Sequence, residues 1–194
     1  MSNADLLMAL CGPVGRVLAK RPLTEIFGMA KPRQSECFAG ETVAEYVVHP
    51  QIAAAKELYL RTMAEVMVSN TVFTDPSAMK TYIGGRIGSL PYEVFCTLYL
   101  DSQLRLITFD ESFRGTLTQT SVYPRELAKR ALDVNAAAVV FAHNHPSGSV
   151  QPSRADEALT QTLKIALALI DVRCLDHIVV SGNTSFSMAE RGLI

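Results

Sequence analysis

Cysteine is scarce in this chain and nowhere paired: Cys11, Cys37, Cys96 and Cys174 are widely scattered, and no two form a C-x-x-C. That spacing argues against a disulfide framework and against a thiolate zinc site, and it predicts reduced, mostly buried thiols. Cys96 and Cys174 read as small core residues. Long hydrophobic runs are missing too. No uncharged apolar stretch reaches the roughly 18 residues of a membrane span, and the start, MSNADLLMALCG, lacks the basic region of a signal peptide. A cytoplasmic protein with no membrane partner is therefore expected. Neither sign of charge dominates, since 18 Lys and Arg face 19 Asp and Glu for a net charge of −1. Such a balance lacks the electrostatic footprint of a nucleic-acid binder. Arg16, Lys20, Arg21, Lys31 and Arg33 make one stretch moderately basic, which reads first as solvated surface and second as a DNA contact. There is no internal repeat and no low-complexity segment.

With 48% hydrophobic residues over 194 positions, the chain can bury a sizeable core. Its pattern changes near residues 70–75, which predicts a helical N-terminal region over 1–72 and an α/β domain of the α+β type over 73–194. The first region is expected to hold a short helix at 5–20, a loop with Pro22, Pro32 and Gly40, and a strongly periodic helix from about 51 to 69. In the second, Asp75 caps a helix with Pro76 at its first position, reaching Ile87. Strands follow at 93–100 and 103–109, joined by a tight turn at Asp101 and Ser102, then near 115–119. A helix at 124–134 precedes AAAVVFA, an apolar run that reads as a buried strand ending at Ala142. After it come a long helix at 153–170, a strand at 174–180 and a hairpin through Ser181, Gly182 and Asn183 to 184–188. These elements amount to a mixed β-sheet with flanking helices.

The most informative segment is HNHPSGSVQPSRAD, in which His143, His145, Ser153 and Asp156 form an H-x-H-x7-S-x2-D array. Side chains two apart on an extended chain point the same way, so the imidazoles of His143 and His145 can converge on one ion. Pro146, Gly148 and Pro152 turn the chain toward the next helix, which Ser153 caps and in which Asp156 stands one turn further in. Two His and one Asp give the three protein ligands of a catalytic zinc, which leaves a fourth position open, whereas structural sites are closed by four. Imidazole donors favour zinc, with iron and manganese as alternatives, over magnesium or calcium. The plainer reading makes Ser153 and Asp156 a capping box, Asn144 and Gly148 turn formers, and the His pair incidental; cap and ligand roles are compatible. His177, beside Asp176 in LDHIVV, reads as a hydrogen-bonded core histidine rather than a ligand, with support of the metal site as its alternative.

On these residues the chain resembles the RadC-like proteins of the JAMM (MPN-plus) metallopeptidase superfamily. Their signature is an upstream Glu followed by H-x-H-x7-S-x2-D, with HNHPSG and a later P-S-x-x-D in the RadC branch, as at 143–148 and 152–156. The flanking segments PYEVFCTLYLDSQLRLI, RGTLTQTSVYPRELAKRAL and LDHIVVSGNTSFSMAERGL agree as well, so the likeness covers about the last two thirds of the chain. It implies a JAB/MPN-like sheet flanked by helices, one zinc per chain on His143, His145 and Asp156, and Glu93 as the upstream acid that serves as general base and then acid. It also implies that Ser153 donates a hydrogen bond to the developing oxyanion or to the metal-bound water. Without the likeness, Glu93 reads as a solvated strand-edge residue. Full-length relatives carry a helix-hairpin-helix with a Gly-rich hairpin, but here VVHPQIAAAKEL has His49 and Pro50 where the glycines belong, so the N-terminal hairpin is degenerate. His49 reads as a loop residue.

Three function classes follow. The leading expectation is a zinc-dependent hydrolase acting on an amide or isopeptide bond of a peptide or protein substrate. The others are a DNA repair or recombination factor, suggested by the family's naming, and an interaction module that holds zinc without turnover. Substrate and oligomeric state are not specified by the sequence.

Overall fold

The computed structural model describes residues 1–28, 48–73, 75–115 and 122–194, which fall into two compact units, Met1–Arg61 and Thr62–Ile194. The first unit opens with α1 (Asn3–Cys11), whose N-cap Ser2 forms a capping box with Asp5, and continues through α2 (Gly15–Leu18) and α3 (Leu23–Ile26). The continuous helix expected at 5–20 is thus broken. Gly12 ends α1 at a φ of 61°, and the following Pro13 brings no N–H with which to continue the ladder. Gly15 has no room for a side chain, because a Cβ would lie 2.3 Å from the Leu7 backbone. Leu7, Cys11, Ile26 and Ile52 form this unit's core. His49 is a loop residue as expected, and its carbonyl accepts the Ile52 and Ala53 N–H groups as α4 (Pro50–Ser69) begins. The loop carrying Pro32 and Gly40, with Cys37, Lys31 and Arg33, lies outside the described residues.

The second unit contains α5 (Pro76–Ile87), β1 (Val94–Leu100), β2 (Leu106–Arg114), α6 (Pro124–Asp133), β3 (Ala138–Asn144), α7 (Arg154–Ala168), β4 (Arg173–Ser181) and β5 (Thr184–Ser187). Asp75 caps α5 by accepting the Ser77 and Ala78 N–H groups at 3.0 Å. The five strands form one mixed sheet in the order β2-β1-β3-β4-β5, in which β3 and β4 are parallel and all other pairs antiparallel. Parallel neighbours need a crossover connection, and α7 supplies it. Every residue of β1 and of β3 is buried, as central strands covered on both faces must be.

Phe95, Tyr99, Val139 and Phe141 face α6 and α7, packing with Leu127, Ala131, Leu163 and Leu167. On the opposite face α5 lies against the sheet, and its Tyr82 meets Phe109 of β2 edge to face at 5.4 Å. Two strand expectations are corrected. The β1–β2 link is a loop over 101–105 rather than a two-residue turn, because Asp101 Oδ1 accepts the N–H groups of both Gln103 and Arg105 at 2.9 Å. That loop, in which Leu104 has a φ of 60°, delays β2 to Leu106. β2 then runs to Arg114 and Gly115 lies beyond it, while the rest of the strand expected near 115–119 falls outside the described residues. Among the described residues, no helix is long and apolar enough to cross a membrane.

Candidate metal centre

The candidate ligands come from the end of β3 and the first turn of α7. β3 does not stop at Ala142 but continues through Asn144, so His143 is a strand residue paired with Phe95 on one side and Val179 on the other. His145 stands one residue past the strand and is fastened twice to β4: its N–H donates to the Val180 carbonyl at 2.9 Å, and its carbonyl accepts the Ser181 hydroxyl at 2.9 Å. The chain then turns through Gly148, whose φ of 110° suits glycine, and enters α7. There Ser153 and Asp156 form a reciprocal capping box. The Ser153 N–H and hydroxyl both donate to Asp156 Oδ2 at 2.7 Å, and the Asp156 N–H donates to Ser153 Oγ at 3.1 Å. The box fixes the Asp156 carboxylate over the strand end.

Among the described residues, His143, His145 and Asp156 are the group whose ligand atoms converge, all within 4.8 Å of one another. The two imidazole Nε2 atoms lie 2.9 Å apart, with Asp156 Oδ1 3.5 Å from His143 Nε2 and Asp156 Oδ2 3.6 Å from His145 Nε2. His145 Nδ1 lies 2.8 Å from the Ser149 carbonyl, which only accepts, so Nδ1 carries the proton and the neutral ring directs an Nε2 lone pair inward. Two nitrogen lone pairs and a carboxylate this close repel unless a proton or a metal ion lies among them, and two imidazoles with one carboxylate suit a zinc-like transition metal. The cluster could hold a metal ion.

Burial pushes the His143 pKa down to about 4, overriding the opposing attraction of Asp156. The neighbouring carboxylate of Asp156, by favouring the protonated ring, raises that of half-buried His145. For Asp156, burial alone acts upward, but the adjacent imidazoles of His145 and His143 and the hydrogen bonds from Ser153 hold the carboxyl well below its usual range. The centre favours a neutral inner imidazole and an ionised carboxylate.

Glu93 is half-buried and immediately precedes β1. Continuing the β1–β3 register two places past the Phe95–His143 pair brings it level with His145, and its charge helps to raise the His145 pKa. It is not one of the three converging donors. The segment that carries it is clamped by Asn144, which is no turn former but a buried strand residue. Asn144 Oδ1 accepts the Val94 N–H at 2.7 Å, and Nδ2 donates to the carbonyls of Tyr92 at 2.9 Å and Leu90 at 3.3 Å. Ser153 is exposed, with its hydroxyl proton directed at Asp156.

His177 is a hydrogen-bonded core histidine, and its ring lies against the centre: Nε2 is 2.8 Å from His143 Nδ1, and Nδ1 is 2.6 Å from Thr160 Oγ1. Asp176 does not support that ring. It accepts the His177 backbone N–H at 2.7 Å, the Ser187 hydroxyl at 2.6 Å and the Ala189 N–H at 2.9 Å, and so ties β5 and the C-terminal turn to β4. Thr160 went unnoticed in the sequence. Its signal is a polar residue at i+4 from Asp156 on the stripe that Leu163 and Leu167 continue into the core.

Comparison with known proteins agrees with this architecture. Residues 73–193 match the family described as the RadC-like JAB domain. A UPF0758 protein of Variovorax paradoxus is 61% identical over 144 residues, and one of Polaromonas is 58% identical over the same length; each match covers 74% of this chain. The chain spans 64% of the length of those two relatives. A UPF0758 protein of Leptothrix cholodnii is 47% identical over 193 residues, covering 98% of this chain and 80% of its own. With a five-stranded mixed sheet between helices, a His-His-Asp cluster at the end of its central strand and these relatives, the chain belongs to the RadC-like JAB-domain family.

Proposed function

We propose that this protein is a zinc-dependent hydrolase that cleaves an amide or isopeptide bond in a peptide or protein, with His143, His145 and Asp156 holding one zinc per chain. The observation that carries this is the convergence of two imidazole nitrogens and one carboxylate within 4.8 Å. Three such donors leave one position of a tetrahedral ion to the reactants. When bound, zinc supplies Lewis acidity, which makes water nucleophilic near neutral pH and polarises the scissile carbonyl. Glu93, level with His145, takes a proton from the attacking water and returns it to the departing amine as the C–N bond breaks and the C–O bond forms. Asn144 keeps Glu93 in place through the backbone on either side of it. Ser153 turns its hydroxyl proton from Asp156 to the negative charge that develops on the carbonyl oxygen. Family membership supports the choice of chemistry, because the JAMM likeness implies a metallopeptidase.

Elemental mass spectrometry on chelator-washed protein resupplied with zinc tests the centre. About one zinc per chain is expected in the native protein, and none in His143→Ala or Asp156→Ala. Glu93→Gln should keep its zinc and lose hydrolysis across a panel of peptide and isopeptide substrates. A native protein that takes up no zinc would sink the proposal, and full turnover by Glu93→Gln would remove that residue from the mechanism.

A further inference from the structure

Behind the three donors lie two side chains that the proposed reaction does not use. His177 on β4 is completely buried, its ring edge to face with Phe95 and Phe141 and 4.8 Å from that of His143. Thr160 on α7 is buried beside it. Both nitrogens of the His177 ring are in hydrogen-bond contact, and a proton count fixes which of them donates.

The Thr160 hydroxyl has a single hydrogen, and its Oγ1 lies 2.6 Å from the backbone carbonyl oxygen of Asp156, which can only accept. The proton goes there, because two oxygens 2.6 Å apart repel unless a hydrogen lies between them, so donation to His177 Nδ1 instead would leave the carbonyl contact repulsive; the Met188 sulfur is a weak acceptor 3.8 Å away. Oγ1 therefore accepts from His177 Nδ1 at 2.6 Å, which puts that ring's proton on Nδ1. His177 Nε2 is left as a lone pair 2.8 Å from His143 Nδ1, so His143 donates to it and carries its own proton on Nδ1. The Nε2 of His143, the atom facing His145 and Asp156, is then a lone pair as well. Were His177 reversed, with its proton on Nε2, His143 would accept at Nδ1, carry its proton on Nε2 and present an N–H to the site.

We infer that Thr160 and His177 form a relay that sets the tautomer of His143, so that its site-facing nitrogen is the one able to bind a metal. Thr160 touches neither His143 nor His145 with its hydroxyl and acts as a positioning residue through His177. The same hydroxyl closes on the carbonyl of Asp156, so one group links the inner imidazole to the helical turn that carries the carboxylate. The consequence for metal binding rests on the proposed zinc site; the tautomers themselves do not.

The test begins with metal-free, 15N-labelled protein and long-range proton–nitrogen correlation spectra of the histidine rings. In the native protein His143 and His177 should both show the Nδ1–H pattern. Thr160→Val keeps the shape and removes the hydroxyl, which leaves His177 Nδ1–H without an acceptor. Both rings should then shift toward Nε2–H, and Thr160→Ser should restore the native pattern. Zinc affinity, read by competition with a chromophoric chelator, should fall about 10- to 100-fold in Thr160→Val and recover in Thr160→Ser. His177→Gln, whose carbonyl can replace Nε2 as acceptor, should bind zinc more tightly than His177→Phe. An Nε2–H pattern at His143 in the native protein overturns the relay without reference to any variant. So does a folded Thr160→Val whose tautomers and zinc affinity are both native, and in that case the proposed zinc site stands. Native tautomers that respond as stated in a protein that binds no zinc would instead uphold the relay and sink the hydrolase.

Discussion

The two imidazoles of the centre are held in opposite ways. His143 is enclosed, with a side-chain exposure of 2%, between a strand partner on either side and the His177 ring behind it. His145 stands at the rim with 18% exposure, held by the backbone carbonyls of Val180 and Ser149 and by the Ser181 hydroxyl. Burial favours the neutral form of the inner ring, whereas the carboxylate of Asp156 favours the protonated form of the outer one. The inner imidazole is thus integral to the core, and the outer one is an attachment to it. Loss of either should abolish metal binding, but the two losses should differ in their cost to the fold.

Stability in the metal-free state breaks or upholds that contrast. His143→Ala leaves a void in the core and strips the His177 Nε2 of its partner, so a loss on the order of 2–4 kcal/mol is expected. His145→Ala removes a half-buried ring whose backbone anchors remain, and should cost about 1 kcal/mol or less. Urea unfolding of both variants after chelation measures the difference. Equal midpoints would mean that the inner histidine is no more part of the core than the outer one.

Acid should separate the two rings in sign. The folded pKa of His143 is lowered from 6.5 to about 4, so its contribution to stability is complete above 6.5 and is lost as pH falls toward 4. His177, also lowered by burial, acts in the same direction. His145 is raised, so its contribution is complete below 6.5 and is lost as pH rises through its folded value. The metal-free protein should therefore have a falling urea midpoint between pH 6.5 and 4, and His145→Ala should fall no more steeply there but lose the gain in midpoint that the native protein shows as pH drops to 6.5 from above. Zinc affinity should decline on acidification as well, by about tenfold per pH unit once His145 is protonated, because metal and proton compete for one nitrogen. A midpoint that stays flat down to pH 4 would contradict a neutral, buried His143.

The three converging donors are far more legible in the sequence than the side chains that stand behind them. Ser153 and Asp156 form a local capping box three residues apart, and His143 and His145 share a strand direction, so their convergence follows from spacing alone. The mixed sheet with flanking helices is legible as well, since the period of apolar residues differs between strand and helix, although the ends of β2 and β3 and the break at Gly12 are not. What could not be read depends on pairing between distant segments. His177 is 34 residues from His143 and meets it only because β3 and β4 run parallel, in a register that shifts between Val139 and Val140. Asn144 looked like a turn former by propensity, yet tertiary pairing carried the strand through it and made its amide the clamp for residues 90–94. Thr160 is a mediocre helix former with no local signal, and only the stripe it shares with Asp156, Leu163 and Leu167 marks it.

The smallest expected effect sharpens the contrast most at the rim, where Ser153 has two roles that a change to alanine would confuse. Its hydroxyl caps α7 and steadies Asp156, and the proposed chemistry also asks it to face the developing oxyanion. Ser153→Ala removes both functions and should cost about 1 kcal/mol of helix capping besides any activity. Glycine, by contrast, is a tolerable N-cap whose substitution costs only a few tenths of a kcal/mol. Ser153→Gly should therefore keep the native urea midpoint within about 0.5 kcal/mol and keep its zinc, because no metal-facing atom is lost. If hydrolysis of a cleavable substrate nevertheless drops by about a hundredfold, with KM little changed, the hydroxyl acts on the transition state. If kcat stays native, Ser153 is a cap and nothing more, and the charge on the oxyanion must be met by the metal alone.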